Sequence, residues 1–178
     1  MKKLKIILIV ACLVVSLALL CSCGKSLEDK IESFNKFTTK ATKVTKSVVV
    51  TDGGVVVYQL DSTSEINGDK ASVTTTQKTL GTNFALQEET KTSTSTKDQA
   101  TNLLAFAEED FLISTVQEDG FTCFVAAEKI NSVLKTQGLQ VGGDSTIVVN
   151  QQKTQVTVTC TFTTVSGKAV TISYQFYK

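Results

Sequence analysis

Two runs near the C-terminus alternate with a period of two, and nothing else in the chain limits its fold so tightly. Val156, Val158, Cys160 and Phe162 point one way while Gln155, Thr157, Thr159 and Thr161 point the other. After a Ser166-Gly167 turn, Val170, Ile172, Tyr174 and Phe176 repeat the pattern. Side chains alternate between the two faces of a strand, so each run reads as a half-buried strand of an antiparallel sheet. Burying those eight side chains at ~1.5 to 3 kcal/mol each is worth on the order of 15 kcal/mol before entropy is subtracted. A slip of one residue would turn all of them to water, so the register is strongly specified. The apolar face must be covered, by helices or by the sheet curling over itself.

The rest of the chain supplies more strands and a few helices. Val48–Thr51 and Val55–Ile66 flank Asp52-Gly53-Gly54, and Asn67-Gly68 separates Ile66 from a run over Lys70–Leu80. Asn-Gly is a strong hairpin signal because both turn residues must accept positive φ. Gly81-Thr82-Asn83 makes the next turn, before a strand from Phe84 to Glu89. The Thr-, Ser- and Lys-rich stretch at residues 90–97 suits an edge strand and a loop equally. Phe111–Val116 and Phe121–Val125 read as a further strand pair around Glu118-Asp119-Gly120.

Three segments have helical spacing. Ser26 can cap a helix whose stripe is Leu27, Ile31, Phe34 and Ala41, with acidic Glu28 and Asp29 at its start and Lys36, Lys40 and Lys43 toward its end. Asp98 can cap a second that carries Ala100, Leu103, Leu104 and Ala107. A third runs through Ala126, Ile130, Val133, Leu134 and Gln137 and stops at Gly138. The expected class is α+β: a curved, half-barrel-like antiparallel meander packed with two or three helices.

The N-terminus predicts export. Lys2, Lys3 and Lys5 precede an apolar run from Ile6 to Leu20 broken only by Ser16, followed by Cys21-Ser22-Cys23-Gly24. That order is a secretory signal. About fifteen residues at ~1.5 Å rise reach only ~22 Å, short of the ~30 Å hydrocarbon core. Leu20-Cys21-Ser22-Cys23 resembles the bacterial lipobox, with Leu20, Ser22 and Gly24 as the signal-peptidase recognition residues and Cys23 as the lipidated one. Cys21 departs mildly from the usual Ala, Ser or Thr. The resemblance implies a diacylglyceryl group on the Cys23 thiol and cleavage before it. Two acyl chains at ~0.8 kcal/mol per methylene give an anchor on the order of 20 kcal/mol. The expected division is a signal peptide over residues 1–22 and one domain over 23–178, tethered to the extracytoplasmic face of the cell membrane. Only Gly24 and Lys25 separate Cys23 from the Ser26 cap, which keeps the domain close to the bilayer.

Composition narrows the function classes. All 18 basic residues are Lys, and His, Trp and Pro are absent. Without His there is no Ser-His or Cys-His nucleophile and one fewer zinc or iron ligand. Residues 23–178 carry fifteen Lys against seventeen acidic residues, a net charge of −2, with no basic run and no guanidinium fork to hold nucleic acid. Glu88-Glu89 and Glu108-Glu109-Asp110 are the densest carboxylate clusters, but neighbouring side chains on one element diverge, which favours a solvated face over a glycosidase pair. No catalytic residue, metal site or cofactor is therefore expected. Cys123 and Cys160 fall on different strands and could pair in an oxidising compartment, or rest as small buried hydrophobes.

A lipobox, a short N-terminal helix, a long meander, two helices and a closing strand pair resemble the LolA/LprG-like class of exported lipid-handling lipoproteins, most closely from Glu118 through the Ser166-Gly167 hairpin. The resemblance implies a half-barrel around helices that holds acyl chains, and it carries over no binding residues. The leading expectation is a membrane-anchored envelope lipoprotein that holds an apolar or lipid ligand between sheet and helices. The alternative is a non-catalytic envelope interaction or adhesion module with a filled core, and its protein partner is not indicated by the residues.

Overall fold

Ser26 opens the first element as its side chain predicts. In the computed structural model, which describes residues 25–82 and 84–178, the Ser26 hydroxyl accepts the Asp29 N–H at 3.1 Å, and the Asp29 carboxylate accepts the Ser26 N–H at 2.9 Å. This capping box starts helix α1 (Leu27–Thr38), which buries Leu27, Lys30, Phe34 and Phe37 along one stripe. Leu20, Ser22, Cys23 and Gly24 lie outside the described residues. The helix ends at Thr38, short of the expected Lys43: Lys40 and Ala41 donate to Phe37 and Thr38 in tight turns, and Thr42 donates to Tyr177. The chain has by then been captured by the sheet.

That sheet has nine strands: β1 (Lys43–Asp52), β2 (Val55–Asn67), β3 (Lys70–Leu80), β4 (Leu86–Thr96), β5 (Phe111–Gln117), β6 (Gly120–Val125), β7 (Ser145–Gln151), β8 (Gln155–Thr163) and β9 (Ala169–Tyr177). The order is β4-β3-β2-β1-β9-β8-β7-β6-β5, and every neighbouring pair is antiparallel. Two meanders, β1 to β4 and β5 to β9, are thus fused where the first strand pairs with the last. Val44 faces Phe176 across that seam, and Val48 faces Ile172. Edges β4 and β5 do not pair with each other, so the sheet is not a closed barrel.

The expected α+β class is corrected to mainly β. After α1 the helices shrink to α2 (Lys97–Thr101, five residues), a 3₁₀ turn at Glu108–Asp110, and α3 (Ile130–Val133, four residues). The second helical stripe fails because Asn102 leaves the helical region at ψ +57, after which Ala105 donates its N–H to Val133. Thr96, not Asp98, is its cap. In the third, Lys135 takes φ +45 and Gly138 φ +77, so the chain unwinds early. Apolar periodicity over so few residues buries enough side chain to fix a segment, but not enough to propagate a helix.

Strand limits differ in instructive ways. β7, with the pattern Ser145-Thr-Ile-Val-Val, has no counterpart in the expected elements, although Ile147 and Val149 are fully buried. Residues 90–96 resolve as the second half of edge strand β4. Phe84, expected to begin a strand, sits in the turn before it at φ +59 and 86% exposed. The β2–β3 loop is Gly68-Asp69, one residue beyond the expected Asn-Gly turn, since Asn67 pairs with Lys70 and Gly68 takes φ +60.

The inner face of the sheet is covered unequally. Over β5 to β9, α1 and the strap at residues 103–106 bury a filled core in which the Phe34 ring meets Phe106 edge-on at 5.0 Å and Phe176 at 5.8 Å, while Phe106 meets Phe121 at 5.4 Å. The buried Lys30 donates its ammonium to the Glu118 carbonyl in the β5–β6 turn, and Gln151 donates to the Lys30 carbonyl at 2.9 Å. Over β2 to β4 the main cover among the described residues is the five-residue α2.

Candidate functional site

On the thinly covered half, the inner-facing positions turn polar. Along β1 these positions run Val44, Lys46, Val48 and Val50, so a lysine stands where the alternation calls for an apolar residue. Its register partners are Tyr174 on β9 and Ser62 on β2. One row over, Val44 aligns with Ser64, Val73 and Ser93. With Ser95 from β4, and with Gln99, Ala100 and Leu103 above, these side chains enclose a recess of about 240 Å³ between the sheet and α2.

The polar groups of this recess are one ammonium, four serine hydroxyls and one amide. The Lys46 ammonium lies 5.5 Å from the centre of the Tyr174 ring and has no ion pair or hydrogen bond among the described residues; burial alone pushes it below the usual lysine range. Thr75 donates to the Ser62 hydroxyl at 3.3 Å, which leaves the Ser62 proton for another acceptor. The Gln99 carbonyl oxygen is committed to the Thr96 N–H at 3.0 Å, in the capping box of α2, so its amide N–H₂ remains. Ser95 donates to the Thr96 carbonyl. The nearest charges on the same face are Glu89 and Lys91 at the rim of β4; they pair with each other at 3.0 Å and are well exposed.

Two other recesses lie beside α1. One, about 480 Å³, is bordered by Lys25, Lys36, Lys40 and Lys178. There Lys36 is paired with Glu32 at 2.6 Å and Lys178 sits 4.2 Å from the Phe37 ring centre. The second, about 460 Å³, separates α1 from residues 98–106 and is rimmed by Asn35, Thr39, Asp98 and Lys135. The first is the more open groove, the second is about as open as the β1–β4 recess, and both have charged or polar rims.

The residues singled out in the sequence do not converge on either groove. Cys123 and Cys160 are free and fully buried. Cys123 pairs with Ile147, which pairs with Cys160, so β7 stands between them. Two strand spacings of ~4.8 Å put their Cα atoms near 10 Å apart, beyond the ~4.4–6.8 Å of a disulfide. Burial pushes both thiols up to about 12, with the Cys160 charge adding to the effect on Cys123. From the acidic clusters, Glu88 pairs with Lys78 at 3.3 Å and the partly buried Asp110 with Lys129 at 3.1 Å. Among the described residues no cluster of three His, Cys, Asp or Glu could hold a metal, and no helix is long and apolar enough to cross a membrane.

An exposed apolar strip lies at the opposite edge, where Ile113 (64% exposed) pairs across the outer face with Phe124 (43%), beside Leu112 at a bulge. Sequence reading missed Lys46 and its serines; the available signal was the break in alternation at Lys46, repeated at Ser62 and Ser64 between Leu60 and Ile66. No protein-family model and no curated protein matches the chain.

Proposed function

We propose that the protein is a membrane-anchored lipoprotein of the cell envelope whose domain is non-catalytic and binds a small ligand between the sheet and α2. One observation carries the ligand half of this reading: the filled core lies over β5 to β9 and β1, while over β2 to β4 the cover among the described residues is thin and Lys46, with no ion pair or hydrogen bond there, lines a recess. At about 240 Å³ the recess is smaller than the ~300–1,000 Å³ of drug-sized sites, which supports a small molecule over a two-chain lipid. The anchor half is supported by the leader, the lipobox and the start of α1 within four residues of Cys23. Surface binding through the Ile113–Phe124 strip is the second reading; that strip offers neither charge nor concavity to select a partner.

The anchor is tested by feeding radiolabelled palmitate to bacteria expressing the full chain. The expected result is a labelled protein in the membrane fraction, with label and membrane association both lost in Cys23→Ala. Unlabelled, unprocessed protein in the cytosol would refute this half. The ligand half is tested by following the methyl signals of Val44, Val73 and Leu103 while small organic molecules of each charge type are added. Saturable shifts confined to those methyls are expected; silence across the whole panel counts against it.

A further inference from the structure

We infer that the β1–β4 recess binds a small monocarboxylate, its carboxyl group on the Lys46 ammonium and its short apolar body against Val44, Val73 and Leu103. This inference rests on the ligand half of the reading above and goes further by assigning the ligand's charge and size.

Donor and acceptor bookkeeping sets the sign. A half-buried ammonium loses hydration and recovers it only through an opposite charge or acceptors; no carboxylate lines the recess, and Lys46 makes no ion pair or hydrogen bond among the described residues. The groups around it, the Ser62 hydroxyl proton and the Gln99 amide N–H₂, are left to donate by the bonds already made to Thr75 and Thr96. Ser64 and Ser93 add two hydroxyls with no bond assigned among the described residues. The one formal charge lining the recess is the Lys46 ammonium, and the serine hydroxyls beside it can turn a proton toward an anion, so an anion is favoured over a second cation.

The number of charges sets the valence. One ammonium matches one negative charge, whereas a phosphate dianion would bring a second that no group in the recess offsets. Lys91 is already held by Glu89. The remaining wall, Val44, Val73, Ala100 and Leu103, is apolar, so the complementary molecule is a carboxylate with a short hydrocarbon part. The face of Tyr174 backs the ammonium on the side away from the serines and holds it in place.

The test uses the full-length chain in non-ionic detergent micelles, titrated with butanoate, butan-1-ol, butylammonium and inorganic phosphate while the methyls of Val44, Val73 and Leu103 are observed. Butanoate is expected to shift them saturably, with the other three at least about tenfold weaker. Lys46→Met should weaken butanoate about tenfold to a hundredfold, the worth of one charged hydrogen bond. Lys153→Met, in the β7–β8 turn, should leave binding unchanged. Thermal unfolding of each variant verifies that it folds; removing a half-buried charge should not lower the Lys46→Met midpoint. Equal binding of butanoate and butan-1-ol, insensitive to Lys46→Met, overturns the carboxylate assignment while leaving a ligand pocket. Preference for phosphate or butylammonium also overturns it. No shift with any of the four defeats both this inference and the ligand half of the proposed function.

Discussion

Phe34 is the side chain through which α1 closes the core, and its truncation measures whether that core is filled. The ring is 1% exposed and meets Phe106 and Phe176 edge-on at 5.0 and 5.8 Å, with interplanar angles of 68° and 87°. Phe→Ala changes in well-packed cores cost ~3–5 kcal/mol. Each edge-to-face pair is worth about 0.5–1.5 kcal/mol beyond its buried area, which places Phe34→Ala in the upper half of that range. At ~2–4 °C per kcal/mol for a domain above 150 residues, about 4 to 5 kcal/mol becomes a fall of roughly 8 to 20 °C in Tm. Phe34→Leu keeps most of the apolar contact and loses both ring edges, so a loss of about 1 to 2 kcal/mol is expected. Phe84→Ala should change stability by less than about 0.5 kcal/mol, because Phe84 is 86% exposed. The assay is urea unfolding followed by near-ultraviolet circular dichroism, with the denaturant slope compared across variants. If Phe34→Ala cost less than about 1 kcal/mol at unchanged slope, α1 would not be seated on the sheet, and the interior could open for a larger apolar ligand.

A Cβ on Gly120 would lie 1.8 Å from the Val149 carbonyl oxygen, inside the β6–β7 ladder. Gly120→Ala must therefore spread β6 from β7 and disturb the neighbouring turn that receives Lys30 and Gln151. The expected loss is at least about 3 kcal/mol, beyond ordinary overpacking. Gly68→Ala meets open space at φ +60 and should cost about 1 kcal/mol; the reasoning fails if thermal unfolding ranks the two the other way. The thiols give a pH test. Cys123 and Cys160 have folded values near 12 against 9.0 when unperturbed, and burial moves Tyr174 in the same direction. A raised folded value means that the contribution is complete below pH 9 and is lost as pH climbs toward 12. The urea midpoint should therefore fall between pH 9 and 11, less steeply in Cys123→Val/Cys160→Val; a flat or rising midpoint would contradict the burial of these groups.

Where a segment's pattern answers to its own backbone, the sequence was legible. The β8–β9 alternation, the Ser26 cap and the strands β1 to β3 of the first meander are set by side-chain parity and capping chemistry within a few residues. Helix lengths after α1 were not legible, because periodicity at Leu103, Leu104, Ile130 and Val133 reports burial without reporting which backbone delivers it. Leu104 reaches the core from an extended strap, not from a helix. β7 was hidden behind Gly142-Gly143 and its short length, and its burial depends on neighbours at both sides, Cys123 and Cys160, that only the fold supplies. The recess was overlooked because each polar inner position looks harmless singly. Lys46, Ser64 and Ser93 come from three strands, and register alone brings them together.

That register also bears on why the recess survives. Leucine occupies an inner position one row along, at Leu60 beside Val48, so a chain that needed only a closed core could write Leu at 46 and gain apolar burial at no topological cost. Keeping Lys46 places an uncompensated cation next to the least covered part of the sheet, under a helix of five residues. β4, beyond it, is exposed along nearly its whole length. Such a segment opens at low free energy, because few buried contacts hold it shut. The same thinness that makes this half expendable for stability gives a small anion a path to the ammonium without unfolding the aromatic core over β5 to β9. Stability and access are thereby assigned to different ends of one continuous sheet, and the β1–β9 seam, where Lys46 stands against Tyr174, is where the two meet.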